Sequence, residues 1–137
     1  MFFLLLISAI FTVNDAEERW ITVNATEAYK ELNSKYNVTW DESLASEALE
    51  LAKNPVDVKD HKGEADKFVK GKEYFDKNDG SSMDVKVKKT LEQKIKDRHD
   101  EFKRFKSGAR FGCNGVFNTT SPTYDFVSSV CLYKKHK

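Results

Sequence analysis

Residues 109–133 read ARFGCNGVFNTTSPTYDFVSSVCLY and hold both cysteines of a 137-residue chain. Phe111, Cys113 and Phe117 alternate with small or polar residues, as do Phe126, Val130 and Leu132. Period two of this kind predicts two strands, and Asn118 to Thr123 supplies the turn chemistry to join them. If Cys113 faces Cys131, the register is set: Phe111 lies opposite Tyr133 and Phe117 opposite Val127, on the disulfide's face. A bridge across this hairpin adds about 3 kcal/mol by restricting the unfolded chain. Thiol catalysis is the rival reading, disfavoured because each sulfur has an obvious partner.

Upstream, the period changes to that of helices. Asn24-Ala25-Thr26-Glu27 has the form of a cap followed by an acidic first turn, so a first helix is expected from there to about Tyr36. Trp40-Asp41 opens a second helix, in which Leu44, Ala45, Ala48, Leu49, Leu51 and Ala52 recur at three- and four-residue spacing until Pro55. Residues 63–75 repeat the helical period weakly through Ala65, Phe68, Val69 and Phe75, with Gly71 inside the run. Asn78 to Ser82 is a loop. A longer helix, Val85 to Phe105, places Val87, Leu91, Ile95, Phe102 and Phe105 on one stripe. Helices followed by a hairpin make the chain α+β, and its length suits one domain.

The first eleven residues are apolar except Ser8, a run too short to span a bilayer and placed where a secretory signal peptide stands. Residues 1–16 are read as that signal and 17–137 as the mature domain; a buried N-terminal helix or an uncleaved anchor is the alternative. No second apolar run follows. Sequons at Asn24, Asn37 and Asn118, with an even cysteine count, agree on a secreted glycoprotein, extracellular in its mature form.

The near-neutral total charge of +1 hides an asymmetry. From Asp15 to Asp60 eleven acidic residues face five basic ones, whereas Lys86 to Lys106 holds nine basic and four acidic. Pairs such as Glu92 with Lys96 and Asp100 with Arg104 suit a solvated helix face. The functional reading of the basic stretch is contact with an acidic glycan or anionic lipid heads. Nucleic acid does not fit the compartment. There is no phosphate-binding loop, no Gly-x-Ser-x-Gly elbow and no His-Glu-x-x-His pair.

Two stretches carry a resemblance. "VTWDESLASEALELA", residues 38–52, and the pair "FGC" at 111–113 with "VCLY" at 130–133 resemble the CAP superfamily, the secreted sperm-coating, venom-allergen and plant pathogenesis-related group 1 proteins. That resemblance implies an α-β-α sandwich, a single CAP/SCP-like domain, and a secreted, non-catalytic monomer that binds a lipid or an extracellular protein. It also implies a cleft in which His99, fourteen residues before Cys113, stands for the His that opens a family motif, with Phe105 in the place of its Trp. Glu64, in Gly63-Glu64-Ala65-Asp66, and His61 are the further candidate metal ligands, with Glu73 the weakest fourth. Zinc would suit such donors, and a metal-dependent hydrolase is the alternative function. Because His99 falls on the Leu91-Ile95-Phe102 stripe, a packed, hydrogen-bonded histidine is favoured over a ligand. No cofactor and no catalytic residue are expected. His61 and His136 read as solvated.

Overall fold

A computed structural model describes residues 20–53 and 65–136. In chain order the elements are β1 (Ile21–Thr22), α1 (Thr26–Leu32), β2 (Val38–Trp40), α2 (Glu42–Lys53), β3 (Lys67–Asp76), α3 (Met83–Asp97), α4 (His99–Phe102), β4 (Ala109–Asn118) and β5 (Tyr124–Lys134). The hairpin β4–β5 is the centre of a five-stranded sheet. Its register pairs Cys113 with Cys131, Phe111 with Tyr133 and Phe117 with Val127, as the sequence implies. A disulfide joins the two cysteines. On the free side of β5 lies β3, antiparallel over its whole length from Lys67↔Tyr133 to Asp76↔Tyr124. On the free side of β4, β1 pairs antiparallel near Phe117 and β2 pairs parallel near Ala109.

Each face of the sheet is covered by different helices. The odd-numbered side chains of the hairpin, Phe111, Cys113, Val127, Cys131 and Tyr133, join Tyr29 of α1, Val87, Leu91 and Ile95 of α3, and Phe102. The even-numbered Val116, Val130 and Leu132 join Leu44, Ala48 and Ala52 of α2. Two glycines let helices lie directly on strand backbone. A Cβ on Gly112 would come within 2.2 Å of the Ala45 nitrogen, and one on Gly71 within 1.8 Å of the Thr90 carbonyl oxygen.

Residues 67–76 therefore form a strand where the periodicity predicts a helix. Val69, Gly71 and Phe75 are buried on one face of it. Gly71, a helix-weakening residue in isolation, is the place where α3 crosses the sheet. Ten backbone pairings with β5 override the local preference.

The expected first helix is shorter, and its N-cap is Ala25 with no side-chain cap bond, so Asn24 does not cap it. It stops at Asn33, whose amide turns inward: Nδ2 donates to the Tyr29 carbonyl at 3.0 Å and Oδ1 accepts from the Tyr133 hydroxyl at 2.6 Å. The second helix begins as expected. Asp41 caps it, Oδ1 accepting from the Ser43 and Leu44 backbone N–H at 2.8 and 3.3 Å, while Oδ2 takes the Arg110 guanidinium. The basic helix is not continuous to Phe105. It is capped by Ser82, ends at Asp97, and resumes for one turn after Arg98. Arg98 leaves the helical line to donate to the Phe68 carbonyl and to pair with Glu101.

Candidate functional site

A hollow of about 340 Å³ opens where β3 begins and β5 ends, lined by Lys67, Glu101, Arg104, Phe105, Lys106, Lys135 and His136. The register Lys67↔Tyr133 brings the first residue of β3 beside the C-terminal tail, and α4 with the turn after it closes the third side. That turn is anchored from below by an aromatic column. Phe102 and Phe105 stack at 5.3 Å and both lie on Tyr133, at 4.4 and 5.6 Å, with Tyr36 edge-on to Phe102. Beneath the column, the Tyr133 hydroxyl ends in the Asn33 amide against the disulfide, and the Tyr29 hydroxyl meets Ser129 Oγ at 2.9 Å. Burial pushes both phenols well above their ordinary range, so both stay neutral.

The lining carries four cations, Lys67, Arg104, Lys106 and Lys135, against one carboxylate, a net of +3 with His136 neutral. Glu101 is neutralised from inside the fold, by Lys67 Nζ and Arg98 Nη2, each at 2.5 Å. The Lys67 hydrogen bond and then Arg98 hold its carboxyl below the usual range. Arg104, Lys106 and Lys135 are exposed and their side chains form no ion pair among the described residues. Backbone geometry fixes the tail in place. Lys135 N donates to Asp66 Oδ2 at 2.8 Å, and His136 packs on Gly108, which has φ +97° and whose Cβ would strike the imidazole at 2.6 Å.

His99 does not face this core. The break at Arg98 rotates it off the hydrophobic stripe, so it is exposed, not packed as expected, and its Nδ1 shares a 3.1 Å hydrogen bond with the Tyr36 hydroxyl. Glu73 is exposed six positions along β3 from Lys67, which is roughly 20 Å of strand. His61 and Glu64 lie outside the described residues, as does the segment read as a signal. Among the described residues no three His, Cys, Asp or Glu side chains gather as a metal site. Asn24 and Asn37 are exposed, and Asn118 is half-buried at the end of β4. Neither expected pair on the basic helix closes: Asp100 meets Lys103 instead, at 3.3 Å, because α4 is a separate turn.

The basic hollow escapes sequence reading because its members come from positions 67, 101–106 and 135–136. Only the Lys and Arg density on either side of Phe105 and at the C-terminus signals it.

The comparisons correct the CAP assignment. Residues 28–135 match the family described as 15 kDa excretory/secretory protein, and no finding points to the CAP superfamily. Two nematode proteins are similar over most of the chain. The 30 kDa antigenic glycoprotein of Trichostrongylus colubriformis is 29% identical over 122 residues, covering 88% of this chain and 85% of its own. The 15 kDa excretory/secretory protein of Haemonchus contortus is 28% identical over 109 residues, covering 77% and 73%. No solved structure matches. The stretches behind the CAP resemblance have a local explanation. Trp40 packs edge-on to Phe111, Asp41 caps α2, the Leu and Ala residues point inward, and Gly112 admits the helix backbone. In this chain those residues serve a capped helix lying on a Gly-Cys strand. Among the described residues no helix is long and apolar enough to cross a membrane. The chain is a secreted, extracellular protein, and with four-fifths of its length matched it belongs to the family of 15 kDa excretory/secretory proteins.

Proposed function

We propose that this protein is a non-catalytic extracellular binding protein that holds an anionic group of a lipid or protein partner in the hollow at Lys67, Arg104, Lys106 and Lys135. The observation that carries this reading is the charge of the lining, +3 around about 340 Å³, with its one carboxylate already neutralised by Lys67 and Arg98. Cations around a concave surface add their fields and raise the local concentration of an anion. The volume suits a phosphate- or sulfate-bearing headgroup or a short acidic segment. Glycan is attached at Asn24, Asn37 and Asn118 during secretion, and the signal is removed after Ala16. The metal-dependent hydrolase has no comparable observation behind it.

The test is binding of the purified, secreted protein to vesicles with and without an anionic lipid, and to a sulfated polysaccharide. Anionic surfaces are expected to bind at low salt and to release as salt rises. Replacing Arg104, Lys106 and Lys135 together by alanine should weaken binding about a hundredfold, at about 1 kcal/mol per basic side chain near an anionic surface. The charge-matched set Lys89, Lys94 and Lys96 on α3 should change it little. Equal losses from the two sets would mean a diffuse charge effect and no groove. Intact mass of the secreted chain beginning at Glu17 checks the cleavage.

A further inference from the structure

Among the described residues, the face of the sheet covered by α2 is not covered to its end. Ala52, in the last turn of α2, accepts the Ser128 hydroxyl at 3.2 Å, and the next even-numbered residues of β5, Phe126 and Tyr124, lie beyond the helix. There four rings meet: Trp20 with Phe126 at 5.6 Å, Phe126 with Tyr74 at 5.0 Å, and Tyr74 with Tyr124 at 5.2 Å. Tyr74 is 61% exposed and Tyr124 45%. Large aromatic side chains left on a surface in contiguous array mark a binding face.

The register places a sequon in the same array. Asn118 is directly opposite Phe126, and Phe126 directly opposite Tyr74, so Asn118, Phe126 and Tyr74 form one row across three strands with side chains on one face. Such a row is about 10 Å long, roughly the reach of two linked sugar rings. The amide can carry a sugar in the folded chain. Asn118 Oδ1 accepts the Thr120 backbone N–H at 2.8 Å, which fixes the side chain, while Nδ2 donates to no group among the described residues. The loop carrying Thr119 and Thr120 is held to the sheet by Lys77 Nζ, which bonds the Thr119 carbonyl at 2.7 Å and Asp125 at 2.6 Å.

We propose that the occupant of this aromatic face is the chain's own glycan on Asn118, its first N-acetylglucosamine lying over Phe126 and the next sugar toward Tyr74. The C–H faces of a pyranose are weakly positive and apolar and pack on aromatic rings, whose faces are negative. The sugar hydroxyls remain in water at the rim, beside the Tyr74 and Tyr124 hydroxyls. Linked at Asn118, the sugar occupies the face at high effective concentration without a free-ligand equilibrium. The inference rests on use of the Asn118 sequon, not on the basic groove, so the two stand or fall separately.

The full chain secreted from a glycosylating cell line is compared, with its glycan intact, with an Asn118→Gln variant. Three results are expected: a mass difference of one glycan between the two; an N-acetyl methyl proton signal moved upfield from free N-acetylglucosamine by ring current; and a higher Tm for the glycosylated chain than for Asn118→Gln. That Tm gap should close in Phe126→Ala, and narrow in Tyr74→Ala, whose exposed position makes it tolerable where Phe126→Ala does not fold. An unmodified Asn118 would overturn the proposal. So would an N-acetyl signal at its free position, a Tm gap that survives Tyr74→Ala intact, or dimers of the glycoprotein that Tyr74→Ala dissociates.

Discussion

Asp41 shows how much one side chain carries. Its carboxylate bonds the Ser43 hydroxyl at 2.7 Å and two backbone N–H groups and pairs with Arg110, linking the start of α2 to β4. The Ser43 hydroxyl, the two backbone N–H groups and Arg110 together hold its carboxyl below the usual carboxylate range. A carboxyl depressed in the folded state contributes stability that is complete above the unfolded value near 3.9 and is lost as pH falls through the folded one. Glu101, depressed by Lys67 and Arg98, acts in the same direction. Thermal melts are therefore expected to be flat above about pH 5 and to fall steeply below about pH 4. Asp41→Asn should flatten that acid limb; superimposable pH curves for the two proteins would contradict the assignment. Tyr133 is the second case. Its hydroxyl supplies the Asn33 Oδ1 bond in a site where both residues are almost wholly buried. Tyr133→Phe leaves that oxygen unpaired and is expected to cost about 1 to 3 kcal/mol in denaturant unfolding.

At the scale of elements, the strand β3 and helix α3 meet at Gly71. With the Thr90 carbonyl oxygen 1.8 Å from where a Cβ would stand, Gly71→Ala must push α3 off the sheet or bend the strand. The expected loss is about 3 kcal/mol. Gly80, with nothing within 4 Å of its Cβ position, is the control: Gly80→Ala should be neutral or stabilise by up to about 1 kcal/mol. Equal melting temperatures for the two variants would show that α3 does not rest on Gly71. The helical reading of residues 63–75 fails at this same contact. Phe68, Val69 and Phe75 fit either period over so short a run, and a glycine that weakens a helix is needed in a strand that another backbone crosses.

For the whole molecule, the disulfide clamps the central hairpin, and every other strand among the described residues is attached to one of its two arms. Replacing both cysteines by alanine should remove about 3 kcal/mol and lower the Tm by about 10 °C. The β4–β5 ladder runs from Arg110↔Lys134 to Asn118↔Phe126 without depending on the sulfurs, so the far-ultraviolet circular dichroism should persist. Loss of that signal at room temperature would show that the bridge specifies the sheet as well as stabilising it.

The sequence by itself determined the hairpin, its register and the second helix. Alternation in residues 109–133, the cysteine pair and the Leu-Ala stripe after Asp41 are local patterns, and local patterns have the period of the element they form. It also carried the secretory reading, since sequons and an apolar N-terminal run are linear signals. Only the tertiary structure decided that residues 67–76 pair with β5, that the basic helix breaks at Arg98, and that His99 turns outward to Tyr36. The basic hollow and the row Asn118–Phe126–Tyr74 belong to the same class: each joins residues far apart in the chain. Their proximity is fixed by strand register and by where α2 stops, and those are properties of how elements pack on one another.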